Sequence, residues 1–295
     1  MSVGWVPRKD TTSLLLQRLG FPDDSVFPVV RAAERLIVAA KIEGDDAVLI
    51  LDTGMRLDVY LDRSYVERRG FAIEWRGDQF GVCPTGDFVM LGRQRVFNTA
   101  TVQALPAEKG QDPAYAGTLG TMFFNGGLLG IDQASGEIAR TSHYAAVRAL
   151  LPDPTHRLDL LPNVQDGVPF TRSLRIDGLR TTPTFAVASG RSSWISARIA
   201  TRVSSERHSL DEVELALEEK FDVPLVFPNT PPMQHSMWIH TSIEQYGKAW
   251  GVPECDGILG ADFLRRWLVV FDFPMGQLLL YDYARVLPEL KISRY

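Results

Sequence analysis

The sequence predicts a mainly β protein with short helices, built from two similar lobes. Short apolar and β-branched runs alternate with glycine and aspartate turns, a pattern typical of strands joined by hairpins. A set of motifs in the first half returns in the second half at a nearly constant spacing, which indicates duplication. The chain has 295 residues, of which 45% are hydrophobic, so it is long enough for a large core in one or two units.

The composition argues against several classes of function. The net charge is −5 and no basic tract occurs, so nucleic acid is not an expected partner. No segment approaches the ~20 apolar residues of a membrane helix, and no signal sequence is evident, so we expect a cytoplasmic protein without a membrane partner. Cys83 and Cys255 do not suggest a disulfide framework. The five histidines lack metal-ligand spacing, so neither a metal nor another cofactor is expected.

The first strands lead into a candidate functional carboxylate. Residues 1–35 are interpreted as an N-terminal extension, and Leu36–Ile42 and Ala47–Leu51 as a hairpin. The second run continues into Asp-Thr-Gly, with the carboxylate at Asp52. A carboxylate at the end of a buried strand loses hydration unless donors hold it, which suggests a functional role. The alternative is an ordinary aspartate in a strand-to-turn connection.

The remainder of the first half contains further short elements. Val59–Leu61 is predicted as a strand, and Asp62–Gly70 as one or two helical turns that end at the glycine. The glycine-spaced aromatic residues of 71–92 suit a mobile hairpin, and Val96–Leu105 is predicted as a strand. Prolines and a short helical pattern mark 141–169 as a linker between a lobe at 36–140 and a lobe at 170–295.

The second half repeats the first in register. Ala188 follows Asp52 by 136 residues (188 − 52), and Gly257 follows Gly117 by 140 (257 − 117). After each of these two glycines, Gly-x-Leu-Gly leads to bulky apolar residues, a strand ending in Asp, and a glycine turn. Two separate motifs recur after nearly equal numbers of residues, which indicates two structurally similar lobes. A capping-box pattern additionally predicts an exposed amphipathic helix at 209–220, with no counterpart in the first half.

These motifs together resemble the aspartic peptidases. Asp-Thr-Gly at 52–54 is joined by two Gly-x-Leu-Gly segments, and the stretch 256–264 (Asp-Gly-Ile-Leu-Gly-Ala-Asp-Phe-Leu) resembles the retropepsin-like branch. Two such units in one chain resemble the bilobal pepsin-like plan, over about residues 36–283. The resemblance implies the acid protease fold, with two pseudo-symmetric lobes of the six-stranded β-barrel type. It also implies a peptide or small-molecule substrate in the cleft between the lobes, and an oligomer is not required.

The resemblance also implies the residues of the site. In this family each lobe donates one Asp-Thr/Ser-Gly loop, and the two carboxylates share one proton because like charges ~3 Å apart cannot both ionise. One carboxylate removes a proton from water while the other donates to the scissile carbonyl. Asp52 takes the catalytic place, and Ala188 stands where the second aspartate is expected. The expected supporting residues are Thr53, Gly54, Ser189 and Gly190. A flap over the substrate is expected within about 72–90, with Trp75 or Phe80 at its tip.

The sequence departs from the family pattern at several positions. The residue after the motif is usually small or hydroxylated in the family, whereas Met55, Arg56 and Arg191 occur here. An arginine beside Asp52 would keep that carboxylate ionised and would suit an anionic ligand. The alternative is that both arginines point to solvent or pair with other acidic residues. Ala188 itself is explained either by an inactivating substitution in a competent peptidase or by natural loss of the second acid.

Three functions remain open on the sequence. The first is an aspartic-type endopeptidase that hydrolyses peptide bonds with an Asp-activated water and lacks its second acid as written. The second is a pepsin-fold protein repurposed for single-carboxylate catalysis, such as proton transfer or cyclisation, or for ligand binding with Asp52 and Arg191 in the cleft. The third is a structural or interaction role. Asp256 is interpreted as a turn residue and Asp262 as a helix cap, so neither is expected to replace the missing acid.

Overall fold

A computed structural model describes residues 14–32, 35–55, 58–76, 80–84, 88–90, 93–95, 99–103, 115–124, 126–141, 143–161, 167–207 and 219–286. In these ranges the chain is mainly β, with its strands in three sheets and short helices between them, which confirms the predicted class. No helix within the described ranges is long and apolar enough to cross a membrane.

The strands in chain order are β1 (Val26–Pro28), β2 (Val30–Ala32), β3 (Arg35–Ile42), β4 (Asp45–Leu51), β5 (Val59–Leu61), β6 (Glu74–Arg76), β7 (Phe80–Pro84), β8 (Phe88–Met90), β9 (Arg93–Arg95), β10 (Thr99–Gln103), β11 (Gly117–Leu119), β12 (Leu128–Asp132), β13 (Glu137–Thr141), β14 (His156–Asp159), β15 (Phe170–Thr171), β16 (Arg175–Ile176), β17 (Thr184–Val187), β18 (Trp194–Ser196), β19 (Lys220–Val226), β20 (Met233–His240), β21 (Cys255–Leu259), β22 (Leu268–Asp272) and β23 (Gln277–Tyr281).

The helices are α1 (Leu14–Arg18), α2 (Arg63–Arg69), α3 (Tyr144–Leu150), α4 (Ala197–Arg207), α5 (Ile243–Ala249), α6 (Ala261–Leu264) and α7 (Tyr283–Val286). Two 3₁₀ helices lie at Asp23–Ser25 and Thr121–Phe124.

The N-terminal lobe is organised around the strand that leads to Asp52. Its sheet runs β6-β7-β10-β5-β11-β4-β3-β8-β9, with β2 paired to β3. The hairpin of β3 and β4 is the predicted one, and it turns through Glu43 and Gly44, which have φ of 52° and 79°. The Gly-x-Leu-Gly strand β11 pairs parallel with β4 and antiparallel with β5. It therefore holds the strands on both sides of the Asp-Thr-Gly loop together.

The C-terminal lobe repeats this arrangement. Its sheet runs β15-β17-β21-β18-β20-β19-β16. The second Gly-x-Leu-Gly strand, β21, pairs parallel with β17 and antiparallel with β18, as β11 does with β4 and β5. The parallel pair of β18 and β20 likewise matches the parallel pair of β5 and β10. The loop that begins at Ala188 is thus held in the same way as the loop that begins at Asp52.

A six-stranded sheet, in the order β1-β13-β12-β22-β23-β14, joins the two lobes. Its central strands β12 and β22 pair antiparallel, with Leu128 opposite Asp272 and Ile131 opposite Val269. Since β22 repeats β12 in sequence, this pairing relates the lobes by a pseudo-two-fold axis. The outer strands β1 and β14 come from the segments interpreted as an extension and a linker, and they pair with the equivalent strands β13 and β23. Both segments therefore contribute matching parts of the joining sheet.

The joining sheet is covered by the N-terminal segment. Leu16 and Leu19 are fully buried, and they belong to a cluster with Leu128 of β12 and Leu268 of β22. Burying each leucine side chain contributes about 1.5–3 kcal/mol. The N-terminal segment thus packs on strands of both lobes and helps to hold them in one arrangement.

The helices after the two loops differ in part from the prediction. Helix α2 is predicted, and its N-cap Asp62 accepts a hydrogen bond from the Ser64 N–H at 3.2 Å. Helix α4 was not predicted, and its first turn is capped by Ser196, whose Oγ accepts from the Ile199 N–H at 3.3 Å. Of the helix predicted at 209–220, residues 209–218 lie outside the described residues. The predicted end is wrong, because Lys220 begins β19 and pairs with β20.

Candidate functional site

The two glycine loops after β4 and β17 are joined by reciprocal hydrogen bonds. The Thr53 N–H donates to Ser189 Oγ and the Ser189 N–H donates to Thr53 Oγ1, both at 3.0 Å. Each hydroxyl in turn donates across the interface, Thr53 Oγ1 to the Val187 carbonyl at 3.0 Å and Ser189 Oγ to the Leu51 carbonyl at 3.1 Å. Both side chains are fully buried, so this network fixes one loop against the other.

The Asp52 carboxylate is held by donors from both loops. Its Oδ1 accepts a hydrogen bond from the Gly54 N–H at 2.7 Å and from the Gly190 N–H at 3.2 Å. Asp52 is only 6% exposed, and these donors offset the hydration that the carboxylate loses on burial. The second oxygen, Oδ2, takes part in neither bond and lies 3.8 Å from Arg191 Nε.

Ala188 occupies the position equivalent to Asp52. The Asp52 N–H donates to the Leu119 carbonyl at 3.0 Å, and the Ala188 N–H donates to the Leu259 carbonyl at 3.0 Å. A β-carbon added to Gly190 would lie 2.6 Å from the Asp52 β-carbon, and one added to Gly54 would lie 2.6 Å from the Ala188 β-carbon. Both glycines are therefore required by close approach, and the two side chains start from equivalent points. The second loop therefore presents a methyl group where the first loop presents a carboxylate.

Arg191 lies between Asp52 and an aromatic surface. Its guanidinium carbon is 5.2 Å from the Tyr246 ring centroid and 5.8 Å from the Trp194 centroid. The side chain is 26% exposed. Trp194 also stacks on His240, with the ring centroids 4.4 Å apart and the planes at 11°. This aromatic cluster was missed from the sequence, because its members come from β18, β20 and α5.

Met55 and Arg56 were the other predicted residues next to the first loop. The Met55 N–H donates to the Asp52 carbonyl at 3.0 Å, and the Met55 carbonyl accepts from the Thr121 N–H at 2.9 Å. Thr121 Oγ1 also donates to the Thr53 carbonyl at 2.5 Å. Met55 thus closes the loop against the segment after β11. Arg56 lies outside the described residues.

Trp75 and Phe80 lie on the hairpin of β6 and β7, where the flap was predicted. They are 43% and 45% exposed. Arg63 stacks on Trp75, with its guanidinium carbon 5.1 Å from the ring centroid. Residues 77–79 between the two strands lie outside the described residues, so the flap and its tip stay a prediction.

Asp256 lies within β21 and not in a turn, so its interpretation as a turn residue is wrong. It has structural partners in the C-terminal lobe. It accepts from the Thr184 N–H at 2.9 Å and pairs with Arg198 at 2.5 Å. Burial raises the pKa of its carboxyl, and the Thr184 hydrogen bond and Arg198 oppose this shift. These contacts use both carboxylate oxygens, and neither contact belongs to the glycine loops.

Asp262 does not cap α6 as predicted, because Gly260 occupies the N-cap and no side chain caps the helix. Asp262 accepts instead from the Ser193 N–H at 2.8 Å and from Ser193 Oγ at 2.6 Å. Ser193 Oγ also accepts from the Gly260 N–H at 2.9 Å and lies 2.8 Å from His235 Nε2. Burial lowers the pKa of His235 to about 4, more than the nearby Asp262 raises it. This network ties the second glycine loop to the Gly-x-Leu-Gly segment.

No metal cluster is present among the described residues, where no three histidine, cysteine, aspartate or glutamate side chains come together to hold an ion. Cys83 and Cys255 lie buried in separate lobes, and no disulfide joins them.

Comparison with known proteins identifies the fold. No family model matches the chain, and no curated protein matches it. Among solved structures it is similar to an aspartic proteinase from Irpex lacteus, with 11% identity, a TM-score of 0.51, and coverage of 88% of this chain and 97% of that one. It is also similar to basic 7S globulin from soybean, with 11% identity, a TM-score of 0.47, and coverage of 87% and 96%. The first likeness shows that the chain has the pepsin-like fold of the aspartic proteinases.

Proposed function

We propose that this protein binds a peptide in the cleft between its lobes and does not cleave it by the two-carboxylate mechanism. The observation that carries the proposal is the position of Ala188. Its β-carbon stands at the point equivalent to the β-carbon of Asp52, and its side chain is fully buried. The cleft therefore presents one carboxylate at the place where the mechanism needs two.

With only one carboxylate, one of the two chemical roles of the mechanism is unfilled. In the shared-proton mechanism one group accepts a proton from water while the other donates a hydrogen bond to the carbonyl. A methyl group at Ala188 supplies neither a donor nor an acceptor. The environment of Asp52 consists of two N–H donors and the nearby Arg191, which are groups that solvate an anion. Asp52 is thus suited to bind a donor group of a ligand.

Two observations support a peptide as the ligand. The pepsin-like fold places the loops between two lobes, where an extended chain can lie against both. In addition, the hairpin of β6 and β7 carries the exposed rings of Trp75 and Phe80, which would give a covering flap apolar contact area. Backbone hydrogen bonds and apolar side-chain pockets are the usual means by which proteins hold extended peptides.

The test is a peptide library in which each sequence occurs both with a free C-terminal carboxylate and as its amide, incubated with the native protein between pH 3 and pH 8. Affinity selection reports binding, and mass spectrometry of the same samples reports cleavage. We expect selective binding without cleavage, and we expect Asp52→Asn to change the selected sequences. Asp177→Asn, at an exposed position, is the matched control and should leave them unchanged. Cleavage by the native protein that Asp52→Asn abolishes, or the absence of any selected peptide, would overturn the proposal.

A second candidate function is an aspartic endopeptidase that needs an acid at position 188. The reciprocal bonds of Thr53 and Ser189, and both close-packed glycines, favour it because they hold the loops as a dyad would require. An aspartate in place of Ala188 would complete this arrangement. Ala188→Asp therefore tests whether the rest of the site can support a dyad.

A further inference from the structure

We infer that Arg191, Trp194 and Tyr246 form a carboxylate-binding subsite beside Asp52, and that the ligand is a peptide ending in a free carboxylate on an aromatic residue. The inference rests on the proposed function, because it names the chemistry of the ligand that the same cleft would take. The inference is carried by the geometry of the Arg191 guanidinium, by its unused donors and by the adjoining aromatic surface.

The guanidinium is held by ring faces. Its central carbon lies 5.2 Å from the Tyr246 centroid and 5.8 Å from the Trp194 centroid. Trp194 is on β18 and Tyr246 on α5, so both rings come from regular elements of the C-terminal lobe. Stacking on aromatic faces orients a planar guanidinium and leaves its N–H groups, which lie in the plane, available for a partner.

Those donors have no hydrogen-bond partner within the described part of the chain. The nearest anion is Asp52, and the distance of 3.8 Å from Arg191 Nε to Asp52 Oδ2 exceeds that of a hydrogen bond. The guanidinium is nevertheless mostly shielded, since the Arg191 side chain is 26% exposed. A shielded guanidinium with unused, coplanar donors matches the two oxygens of a carboxylate, which it binds through paired hydrogen bonds.

The aromatic surface continues on both sides of the guanidinium. Trp194 stacks on His240 at 4.4 Å, and Tyr246 stacks on Trp250 at 5.7 Å, between ring centroids. All four rings are partly exposed. A planar side chain on the ligand can therefore lie against this surface while its carboxylate pairs with Arg191. A ligand with a C-terminal aromatic residue should therefore bind more tightly than a ligand that offers a carboxylate alone.

The charge of Asp52 gives the subsite a testable property: its removal and the removal of the Arg191 charge should change the affinity for a carboxylate in opposite directions. The Asp52 charge attracts Arg191, but it repels a ligand carboxylate placed on the far side of the guanidinium. Neutralising Asp52 should therefore strengthen carboxylate binding, whereas neutralising Arg191 should weaken it. If Arg191 were only a counter-ion for Asp52, neither substitution would change the affinity for a carboxylate.

The probes are N-acetyl-phenylalanine and its amide, which differ only in the carboxylate. Titration calorimetry at pH 7 should show the acid binding to the native protein at least tenfold more tightly than the amide. Arg191→Gln should reduce the affinity for the acid to that for the amide, and Arg191→Lys should recover part of it. Asp52→Asn should raise the affinity for the acid severalfold. Arg180→Gln, at an exposed position, is the control and should change nothing.

Several results would overturn the inference. They are equal affinity for acid and amide, no binding of either, or an affinity for the acid that Arg191→Gln leaves unchanged while the variant unfolds like the native protein. Failure here is separable from failure of the proposed function. If amidated peptides of the library still bind in a manner that depends on Asp52, the proposed function stands without this subsite. If N-acetyl-phenylalanine binds and Arg191 is required, but no peptide of the library is selected, the subsite stands and the peptide-binding proposal fails.

Discussion

Asp52 and Ala188 are equivalent residues across the pseudo-two-fold axis, and each packs its β-carbon against the glycine of the opposite loop. A β-carbon added to Gly190 would lie 2.6 Å from the Asp52 β-carbon, and one added to Gly54 would lie 2.6 Å from the Ala188 β-carbon. The main-chain N–H groups of Asp52 and Ala188 also donate to equivalent carbonyls at 3.0 Å. The symmetry of the fold is thus preserved in the backbone while the chemistry of the site is asymmetric.

The reciprocal hydrogen bonds of Thr53 and Ser189 should contribute strongly to stability. Ser189→Ala leaves the buried Thr53 N–H without an acceptor, and Thr53→Val leaves the Ser189 N–H without one. Each substitution should therefore lower the free energy of unfolding by about 2 kcal/mol. The double variant should lose less than the two single losses combined, because both remove the same network.

Urea denaturation measures these free energies. Thr201→Ala is a suitable control, since this exposed threonine of α4 bonds only the Ala197 carbonyl of its own helix, and its loss should be within about 0.5 kcal/mol. Full additivity of Thr53→Val and Ser189→Ala would show that the two loops are not coupled through this network.

Stability should fall in mild acid because of His235. Burial lowers its pKa from 6.5 to about 4 in the folded protein. Between these values His235 binds more protons in the unfolded chain than in the folded one, so its contribution lowers the free energy of unfolding as the pH drops from 6.5 to 4, by about 3 kcal/mol.

Urea denaturation at a series of pH values measures this slope. His235→Gln should reduce it, since glutamine does not titrate, while the Ser193 hydroxyl keeps Asp262 and the Gly260 N–H as partners. His143→Gln, at an exposed position, should leave the slope unchanged. A slope for His235→Gln equal to that of the native protein would contradict the prediction.

Glu137 should destabilise the protein at neutral and alkaline pH. Burial and the neighbouring Asp132 raise its pKa from 4.5 to about 7. The folded state therefore favours the neutral carboxyl, and stability is lost as the pH rises from 4.5 through 7. The equivalent pair in the C-terminal lobe is Asp272 and Gln277, which has a neutral amide at this position.

Thermal unfolding of Glu137→Gln tests this difference between the lobes. Because the carboxyl is only partly buried and solvent screens it, we expect a gain of about 1 kcal/mol at pH 8 and no gain at pH 4. Glu74→Gln, on an exposed strand position, is the control. Equal effects of Glu137→Gln at both pH values would show that the charge of Glu137 is not the cause.

The sequence predicted the parts of the fold that local patterns determine. The hairpin before Asp52 is visible because two apolar runs flank a glycine and aspartate turn, and helix α2 is visible because Asp62 and Gly70 mark its ends. The duplication was visible because Gly-x-Leu-Gly occurs twice. A strand that packs between two neighbouring strands tolerates few residue types, so the motif is kept in both halves. The equivalence of Asp52 and Ala188 follows from that register.

Features that depend on distant contacts were not predicted. Helix α4 was missed because its cap, Ser196, ends a strand and is followed by no acidic residue at the capping-box position. Asp262 was interpreted as a helix cap from its local position at the start of a short helix. Its actual partner Ser193 lies 69 residues away, so the local sequence does not reveal it. The rings beside Arg191 come from three separate elements, and the sequence gives no local sign that they meet.

The most direct test of the account is peptide cleavage after restoring the second acid. The native chain should cleave no peptide of the library, whereas Ala188→Asp should cleave at acid pH, and adding Asp52→Asn should abolish that cleavage. Ala188→Asp should also be assayed with Arg191→Ser, because the positive charge of Arg191, 3.8 Å from Asp52 Oδ2, opposes a proton shared between two carboxylates. A folded Ala188→Asp protein that cleaves nothing in either background would contradict the claim that the site lacks only this carboxylate, and so would Asp52-dependent cleavage by the native chain.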